Sequence, residues 1–305
     1  MKLGFKKKKA QSFTDLWAMK GFFFVMPSVL IVAVLIIFPI LSNFILAFTN
    51  YQGFGTAYRF IGFYNFQSIF TDSNFWLVLV NTFKLLFIYV IILNIFAIVF
   101  AVLINNIGKK FGNFVKSMLY FPCLLAGVVV GFAWRMILNY QSGLINVTLR
   151  GLGLDFLAQN WLGEMSLIIP VISMVTVWFA TGYYTVIYYA GLMNISPEYY
   201  EVCAVEGATG FQKFRYVTLP LLAPSITINV VLSTMGVLGS YDLPNSLSSG
   251  GGPGYYGTTL PMYIYRLIYA NRQSGRALAV AVVMAILAFV IAFVELKVLL
   301  KKEVN

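Results

Sequence analysis

Few side chains of this sequence are suited to catalysis. The 305 residues include no histidine, and the two cysteines, Cys123 and Cys203, belong to no CxxC pair, so zinc, haem and thiol-relay chemistry are not indicated. The phosphate-binding motif G-x-x-x-x-G-K-[ST] is absent. Paired catalytic carboxylates are absent as well. We therefore expect no catalytic residue, no metal and no cofactor on this chain.

Polar residues within long apolar segments are the candidates for ligand binding. Asp242 is a carboxylate near the end of one such segment, where a charge is costly unless it faces water or a partner. It could accept hydrogen bonds from sugar hydroxyls, or it could pair with Arg135 or Arg266. Further hydroxyl, amide and aromatic side chains that suit a sugar are Tyr241, Asn229, Ser233, Trp178, Tyr183 and Tyr184. Such residues also join membrane helices and line membrane interfaces, so a structural role stays open for each.

The composition indicates the kind of protein that must position these residues. Hydrophobic residues make up 60% of the chain and charged residues 10%, whereas soluble domains have about 45–50% and about 25%. Several charge-free segments reach the roughly 20 residues that a helix needs to cross a membrane. We predict an all-α membrane protein with six transmembrane helices near residues 21–48, 82–106, 117–138, 166–192, 223–245 and 277–299. Residues 243–265 are not counted, because their glycine-rich stretch would leave backbone groups unpaired in lipid.

The distribution of positive charge predicts the orientation. Fourteen of the 21 lysines and arginines fall on the side of the N-terminus, and five fall in the loops on the opposite side. Positively charged loops stay in the cytoplasm, so both termini are expected there. The predicted organisation is a basic cytoplasmic N-terminus (residues 1–20), a membrane domain (21–299) with a cytoplasmic loop (194–222), and a short cytoplasmic tail (300–305). The net charge of +11 thus reflects topology and contact with membrane lipids rather than nucleic-acid binding.

The loop at residues 194–222 contains the strongest local signals. Ser196-Pro197-Glu198 predicts the start of a helix, and Gly207 predicts its end in a left-handed turn. A second short helical stretch, residues 211–216, precedes Leu219-Pro220 and the fifth span. Small residues at the turn would let another protein approach closely. Taken alone, these residues fit a docking element and a simple capped loop about equally well.

The spacing Glu201-x5-Gly207-x9-Val217-x-Leu219-Pro220 resembles the EAA loop of the permease subunits of bacterial ABC importers. This chain has Val202 and Cys203 in place of the two alanines of that pattern. Glu206 replaces the usual aspartate, and Val217 replaces isoleucine. Residues 241–265 and 60–66 are similar to the carbohydrate branch of that family, which includes the maltose and glycerol-3-phosphate permeases.

The resemblance implies a type I ABC importer permease fold in the bacterial cytoplasmic membrane. It also implies that the loop docks on a separate ATPase dimer, which binds ATP and magnesium. Expected partners are a second homologous permease subunit (as a heterodimer), an extracellular solute-binding protein and a carbohydrate, either a sugar or an oligosaccharide. The coupling role falls on Glu201, Glu206, Gly207, Ala208, Leu219 and Pro220.

Other substrates and another source of energy remain as alternatives. The loop is common to importers of other small solutes, such as glycerol-3-phosphate or amino acids. An ion-driven secondary transporter is less favoured, because such proteins usually carry carboxylates within the membrane or broken helices in repeated halves. The predicted spans contain few acids, and the chain has no evident internal repeat.

Overall fold

The computed structural model describes residues 24–53, 55 and 57–303, and this part of the chain is almost entirely helical. The predicted basic N-terminus (residues 1–20) lies outside the described residues. In chain order the helices are α1 (Phe24–Leu46), α2 (Tyr64–Phe70), α3 (Ser73–Asn106), α4 (Lys109–Tyr120), α5 (Gly127–Ile137), α6 (Leu144–Gly151), α7 (Ile168–Met193), α8 (Pro197–Val205), α9 (Gly210–Leu221), α10 (Ala223–Leu238), α11 (Asp242–Ser248), α12 (Leu260–Tyr269) and α13 (Ser274–Glu303).

Four helices are individually long and apolar enough to cross a membrane, namely α1, α3, α7 and α13. Two further spans are obtained only if each of two bent pairs of helices is counted as one span. The segment 109–124 meets α5 at 95°, and α9 meets α10 at 69°. The prediction of six spans therefore holds when each bent pair counts once, and the all-α membrane architecture is confirmed.

Two predicted spans are wrong as continuous helices. Residues 117–138 are interrupted by the 3-10 turn Phe121–Leu124, which contains Pro122, and by the extended residue Ala126. A proline lacks the N–H that a helix interior needs, so a break here is physically expected. Residues 223–245 are interrupted after Leu238, and α11 begins separately at Asp242. Hydropathy alone does not detect such breaks, because the residues around them stay apolar.

The longest helix, α3, begins at a well-defined cap. The side chain of Asp72 accepts a hydrogen bond from the Asn74 N–H at 2.9 Å, which satisfies a donor that would otherwise lack a partner. Thirty-four residues then follow without interruption, a length of about 50 Å at 1.5 Å per residue. Helix α3 packs along α7, and this pair forms the centre of the bundle.

The buried apolar residues form two clusters. One lies among α3, α5, α7, α10 and α11, and includes Leu93, Ile172 and Leu247. The other joins the beginning of α3 to α2, α12 and α13, and includes Phe75, Leu267 and Val280. Helices α3, α7 and α13 begin at the end of the bundle opposite α8 and α9. We call this end the outer end, in keeping with the predicted orientation, which remains a prediction.

Glycine permits one especially close contact between helices. A Cβ atom at Gly131 of α5 would overlap the Ser246 side chain of α11 and lie 2.9 Å from the Leu243 carbonyl oxygen. The two broken spans therefore continue side by side as a closely packed pair, α5 and α11. Each member of the pair begins just after its break, so the breaks lie next to each other within the bundle.

Candidate functional site

The predicted loop folds into a compact element at the end of the bundle opposite the start of α3. Helix α8 ends at Val205, and Gly207 adopts φ +69°, the left-handed conformation predicted from the sequence. The Ala208 N–H donates to the Cys203 carbonyl at 2.9 Å, and the Gly207 N–H donates to the Ala204 carbonyl at 3.2 Å. This pair of bonds is a Schellman motif, which satisfies the last carbonyls of the helix. The turn is therefore complete without any partner.

The second arm of the loop is fixed by its own hydrogen bonds. Thr209 and Gln212 form a reciprocal capping box at the start of α9. The hydroxyls of Tyr200 on α8 and Thr218 on α9 lie 3.2 Å apart and are hydrogen-bonded, so they connect the two arms. The expected N-terminal cap differs in one respect. Ser196 precedes α8 as predicted, but its side chain makes no capping hydrogen bond.

Apolar side chains project from this loop into open space. Val205 is 90% exposed and Phe211 is 75% exposed. Glu201, Glu206, Gly207 and Pro220 are also exposed, whereas Ala208 and Leu219 are partly buried. Exposed apolar groups on a small rigid protrusion are typical of a surface that binds another protein. Val205 and Phe211 were not among the predicted residues, although both flank the glycine turn.

A cavity of about 220 Å³ lies where the two helix breaks meet. Tyr183 and Tyr184 of α7, two of the residues proposed from sequence for a substrate path, line this cavity. The structure adds Tyr89, Cys123, Thr176 and Ser240, which come together only at the breaks. Cavities at interrupted helices are where membrane transporters commonly bind their substrates. The phenol and hydroxyl groups of its lining can donate and accept hydrogen bonds, and the ring faces can cover apolar patches of a ligand.

Two of the predicted path residues lie in the helix interfaces instead. Asn229 and Ser233 of α10 are fully buried. The Asn94 amide of α3 donates to Ser233 Oγ at 3.2 Å, and the phenol of Tyr188 on α7 donates to Asn94 Oδ1 at 2.6 Å. These polar groups join α3, α7 and α10, as small polar residues often do in membranes. In this conformation they do not line the cavity.

The remaining predicted residues lie around the cavity rather than in it. Trp178 packs edge-on against Trp134, with ring centroids 5.4 Å apart. Tyr241 stacks on Tyr265 at 4.7 Å. Asp242 is the first residue of α11 and is exposed.

The suggested ion pair of Asp242 is wrong for the described part of the chain. No cation lies within 4.0 Å of its carboxylate there. Arg135 instead donates to Ser249 Oγ at 2.7 Å, and Arg266 donates to the Gly254 carbonyl. Both arginines reach toward the glycine-rich turn after α11, which draws them away from the start of that helix. Asp242 is thus exposed and has no ion-pair partner among the described residues.

Comparison with known proteins shows what kind of molecule carries this loop and cavity. Residues 73–300 match the protein family described as "Binding-protein-dependent transport system inner membrane component". The chain belongs to this family.

Similar permeases of this family come from bacteria and archaea. The chain is 29% identical over 250 residues to the lactose transport system permease protein LacF of Rhizobium radiobacter, covering 82% of this chain and 83% of that one. It is 28% identical over 245 residues to the trehalose/maltose transport system permease protein MalF of Thermococcus litoralis, covering 80% and 82%.

The fold is shared with a solved transporter. A chain of a bacterial alginate ABC transporter, in complex with an alginate pentasaccharide-bound periplasmic protein, superposes with a TM-score of 0.80. The identity is 24%, and the match covers 95% of this chain and 96% of that one. The prediction of an ABC importer permease fold is therefore confirmed.

Membership in this transport family also bears on location and activity. The chain is a multi-pass inner-membrane component, as predicted. The family is one of transport components, which agrees with the prediction that the chain is not itself an enzyme. The domain boundaries and the side of the membrane on which the termini lie remain predictions.

Proposed function

We propose that the chain forms one half of the pathway by which a carbohydrate crosses the membrane. An extracellular binding protein delivers the carbohydrate, and a second homologous permease subunit forms the other half of the pathway. A separate ATPase dimer binds ATP and magnesium and provides the energy. The observation that carries this proposal is the rigid loop 194–222, with its exposed apolar tip at the end of a membrane bundle.

The loop suits a docking role because it is both exposed and rigid. Val205 and Phe211 present apolar surface next to the Schellman turn at Gly207. The loop continues into Leu222, which is completely buried in the bundle. A partner that moves the tip therefore acts directly on the helices, in particular on α10, which lines the cavity through Gly236 and Val237.

The carbohydrate assignment rests on two supports of different kinds. The cavity offers tyrosine rings and hydroxyl groups rather than charged side chains, a combination that suits sugar hydroxyls and the apolar faces of sugar rings. Relatives that are similar over four-fifths of the chain are named as lactose and trehalose/maltose permeases. Glycerol-3-phosphate and amino acids are disfavoured as substrates, because these relatives are named for sugars. The ion-driven alternative is disfavoured because the family depends on binding proteins.

Docking of the ATPase is tested by site-directed crosslinking in the complete complex. A single cysteine at position 205 is introduced in a Cys123→Ser, Cys203→Ser background, and the complex is purified in mild detergent. We expect Val205→Cys to crosslink to a co-purifying ATPase subunit that mass spectrometry identifies. The matched control is Val147→Cys, a half-exposed valine of α6 at the outer end, which should not crosslink to that subunit. Absence of any ATPase from both samples would refute the proposal.

The substrate path is tested by chemical modification of a native cysteine in the cavity. Cys123 lines the cavity, so a Cys203→Ser variant carries a single native probe there. In proteoliposomes with all partner subunits, we expect maltose or lactose with the binding protein and ATP to change the rate at which a small maleimide modifies Cys123. An unchanged rate during measured sugar uptake would place the path elsewhere.

A further inference from the structure

A second pocket lies at the outer end of the α5–α11 pair. It has a volume of about 440 Å³, within the range of roughly 300–1,000 Å³ that is usual for small-molecule sites. Its lining mixes polar and apolar residues, and the polar residues that matter here are Arg135, Asn139, Gln141, Asn160, Ser248 and Ser249. No Asp or Glu belongs to the lining within the described residues.

Arg135 is held in place in this pocket without a counterion. Its Nη1 donates to Ser249 Oγ at 2.7 Å, and its guanidinium lies 4.4 Å from the centroid of the Phe132 ring. No carboxylate of the described residues lies within 4.0 Å of it. A guanidinium carries five N–H donors, so most of them remain available to a ligand. Its planar fork matches a carboxylate, with which it can form two parallel hydrogen bonds.

The residue that holds Arg135 is itself in an unusual conformation. Ser249 has φ +53° and ψ +46°, a left-handed conformation that costs a residue other than glycine of order 1–3 kcal/mol. Four glycines with positive φ are found among the five residues that follow it. The chain thus keeps a serine where glycine would fit more easily, and that serine supplies the hydroxyl that fixes Arg135.

The pocket is positioned to lead toward the central cavity. Leu247 of α11 lines the outer pocket, and Leu243, one turn earlier on the same helix, lines the cavity. Four residues of helix correspond to about 6 Å along the axis. The close crossing of Gly131 and Ser246 lies between the two sites.

We infer that this outer pocket is a subsite for the carboxylate of an acidic saccharide. Arg135 receives the carboxylate, and the side-chain amides of Gln141 and Asn160 are within the lining to bind hydroxyls of the same ligand. The inference rests on the proposed function, because the saccharide reaches the pocket on its way to the cavity. It adds a charge preference that the uncharged central cavity does not provide.

The test measures binding of two saccharides to the complete transporter in phosphatidylcholine nanodiscs by isothermal titration calorimetry. Trigalacturonate is the acidic probe, and maltotriose is the neutral probe of the same length. We expect Arg135→Gln to weaken trigalacturonate binding about tenfold, as the loss of a hydrogen bond to a charged group does, and to change maltotriose binding less than twofold. Arg59→Gln removes an exposed outer-end charge and is the matched control; it should leave both affinities unchanged.

A second variant tests the inference even if Arg135→Gln impairs folding. Ser249→Gly suits the left-handed backbone and removes only the hydroxyl that holds Arg135, so we expect a two- to fivefold loss for trigalacturonate alone. Equal losses for both probes, or no loss with Arg135→Gln, would overturn the inference.

Two further measurements test whether Arg135 binds a lipid phosphate or the binding protein instead of a saccharide. If phosphatidylglycerol in the nanodiscs abolishes trigalacturonate binding to the wild type, the pocket holds a lipid phosphate and the inference is wrong. If Arg135→Gln weakens docking of the sugar-free binding protein instead, the arginine contacts that protein and the inference is equally wrong. ATP hydrolysis stimulated by maltotriose tests the proposed function separately, because the neutral probe does not need Arg135. If maltotriose still stimulates hydrolysis, only the inference about the outer pocket has failed.

Discussion

The hydroxyl of Thr234 on α10 donates a 2.7 Å hydrogen bond to Oε1 of Glu295 on α13. Thr234 is completely buried, and Oε2 of Glu295 has no hydrogen-bond partner among the described residues. A carboxylate within a membrane helix is costly unless it is paired. This bond therefore joins the last span to the helix that follows the docking loop.

Removing the threonine hydroxyl should destabilise the protein. Thr234→Val keeps the shape of the side chain but leaves both carboxylate oxygens of Glu295 without a donor, so we expect a loss of about 1–3 kcal/mol in the free energy of unfolding. The matched control is Thr227→Val, because the Thr227 hydroxyl bonds only to the Ala223 carbonyl of its own helix. Thermal denaturation in detergent measures both, and equal midpoints for the two variants would contradict the prediction.

Variants of two tyrosines on α7 should distinguish a residue that stabilises the fold from a residue that contributes to transport. Tyr188→Phe removes the donor to Asn94 and should lower stability by about 0.6–2 kcal/mol, the range for hydrogen bonds between membrane helices. Tyr183→Phe changes a half-exposed residue of the cavity wall and should reduce sugar uptake without lowering the unfolding temperature. Uptake in proteoliposomes and thermal denaturation are measured on both. The distinction fails if Tyr183→Phe unfolds at a lower temperature than Tyr188→Phe.

Gly207→Asp should uncouple ATP hydrolysis from transport. No atom lies within 4 Å of the position that a Cβ would occupy there, so the side chain enters the proposed docking face rather than the protein itself. The backbone strain of a non-glycine residue at φ +69° costs of order 1–3 kcal/mol, which is too little to prevent insertion. Gly153→Asp is the control, because Gly153 has φ +73° and the same open space but lies near the outer end. Normal uptake by Gly207→Asp with all partners present would show that the turn does not dock.

The outer end of α3 should lose stability in acid. Arg276 forms a 2.8 Å ion pair with Asp72, and Tyr263 donates to the same carboxylate oxygen. Burial raises the pKa of Asp72, but hydrogen bonds from Tyr263, the Asn74 N–H and Arg276, together with the charge of Arg276, outweigh it and lower the pKa below its ordinary value. The ionised form is thus favoured by folding. Its contribution is fully present above the unfolded pKa of about 3.9 and disappears as the pH falls through the lower, folded value.

Comparison of the wild type with Asp72→Asn measures this contribution. At pH 6 we expect the variant to unfold a few degrees lower, since a partly exposed pair contributes about 1 kcal/mol or less. As the pH falls below 4, the two unfolding temperatures should converge. Asp155→Asn, which replaces an exposed acid of the outer loop, should follow the wild type throughout. A difference between wild type and Asp72→Asn that grows toward low pH would contradict the assignment.

The close crossing of α5 and α11 should not tolerate a side chain. Gly131→Val would force its Cβ into Ser246 and against the Leu243 carbonyl, and overpacking of this kind costs about 1–3 kcal/mol. Gly151→Val is the control, because open space surrounds that position in α6. Yield and thermal stability of the purified complex measure the effect. Equal stability of both variants would mean that the two helices separate readily.

The docking loop could be predicted from sequence because its signals are local. Pro197 at the start of α8 and Gly207 at its end act within one or two turns of chain, and both lie where the sequence placed them. The length of α3 and its apolar character follow equally from its residues. Such features can be predicted without knowing which residues pack against them.

The site within the membrane could be predicted only in part, because it depends on contacts between distant segments. Tyr183 and Tyr184 were expected to face a path, but nothing in the order of residues showed that Asn229 would turn toward α7 and Ser233 toward α3 instead. Glu295 was not singled out, since its partner lies 61 positions away. The breaks after Tyr120 and Leu238 were also not predicted, because the hydropathy of the residues does not change where the helix bends.

The Schellman turn at Gly207 also determines how force passes through the loop. A segment that already holds its shape loses little conformational entropy when a partner binds it. The bonded hydroxyls of Tyr200 and Thr218 keep its two arms at a fixed separation. The loop is thus stiff and ends at Leu222 in the core. If the proposed partner displaces Val205, we expect the helices to move with it, because the loop has little freedom to bend.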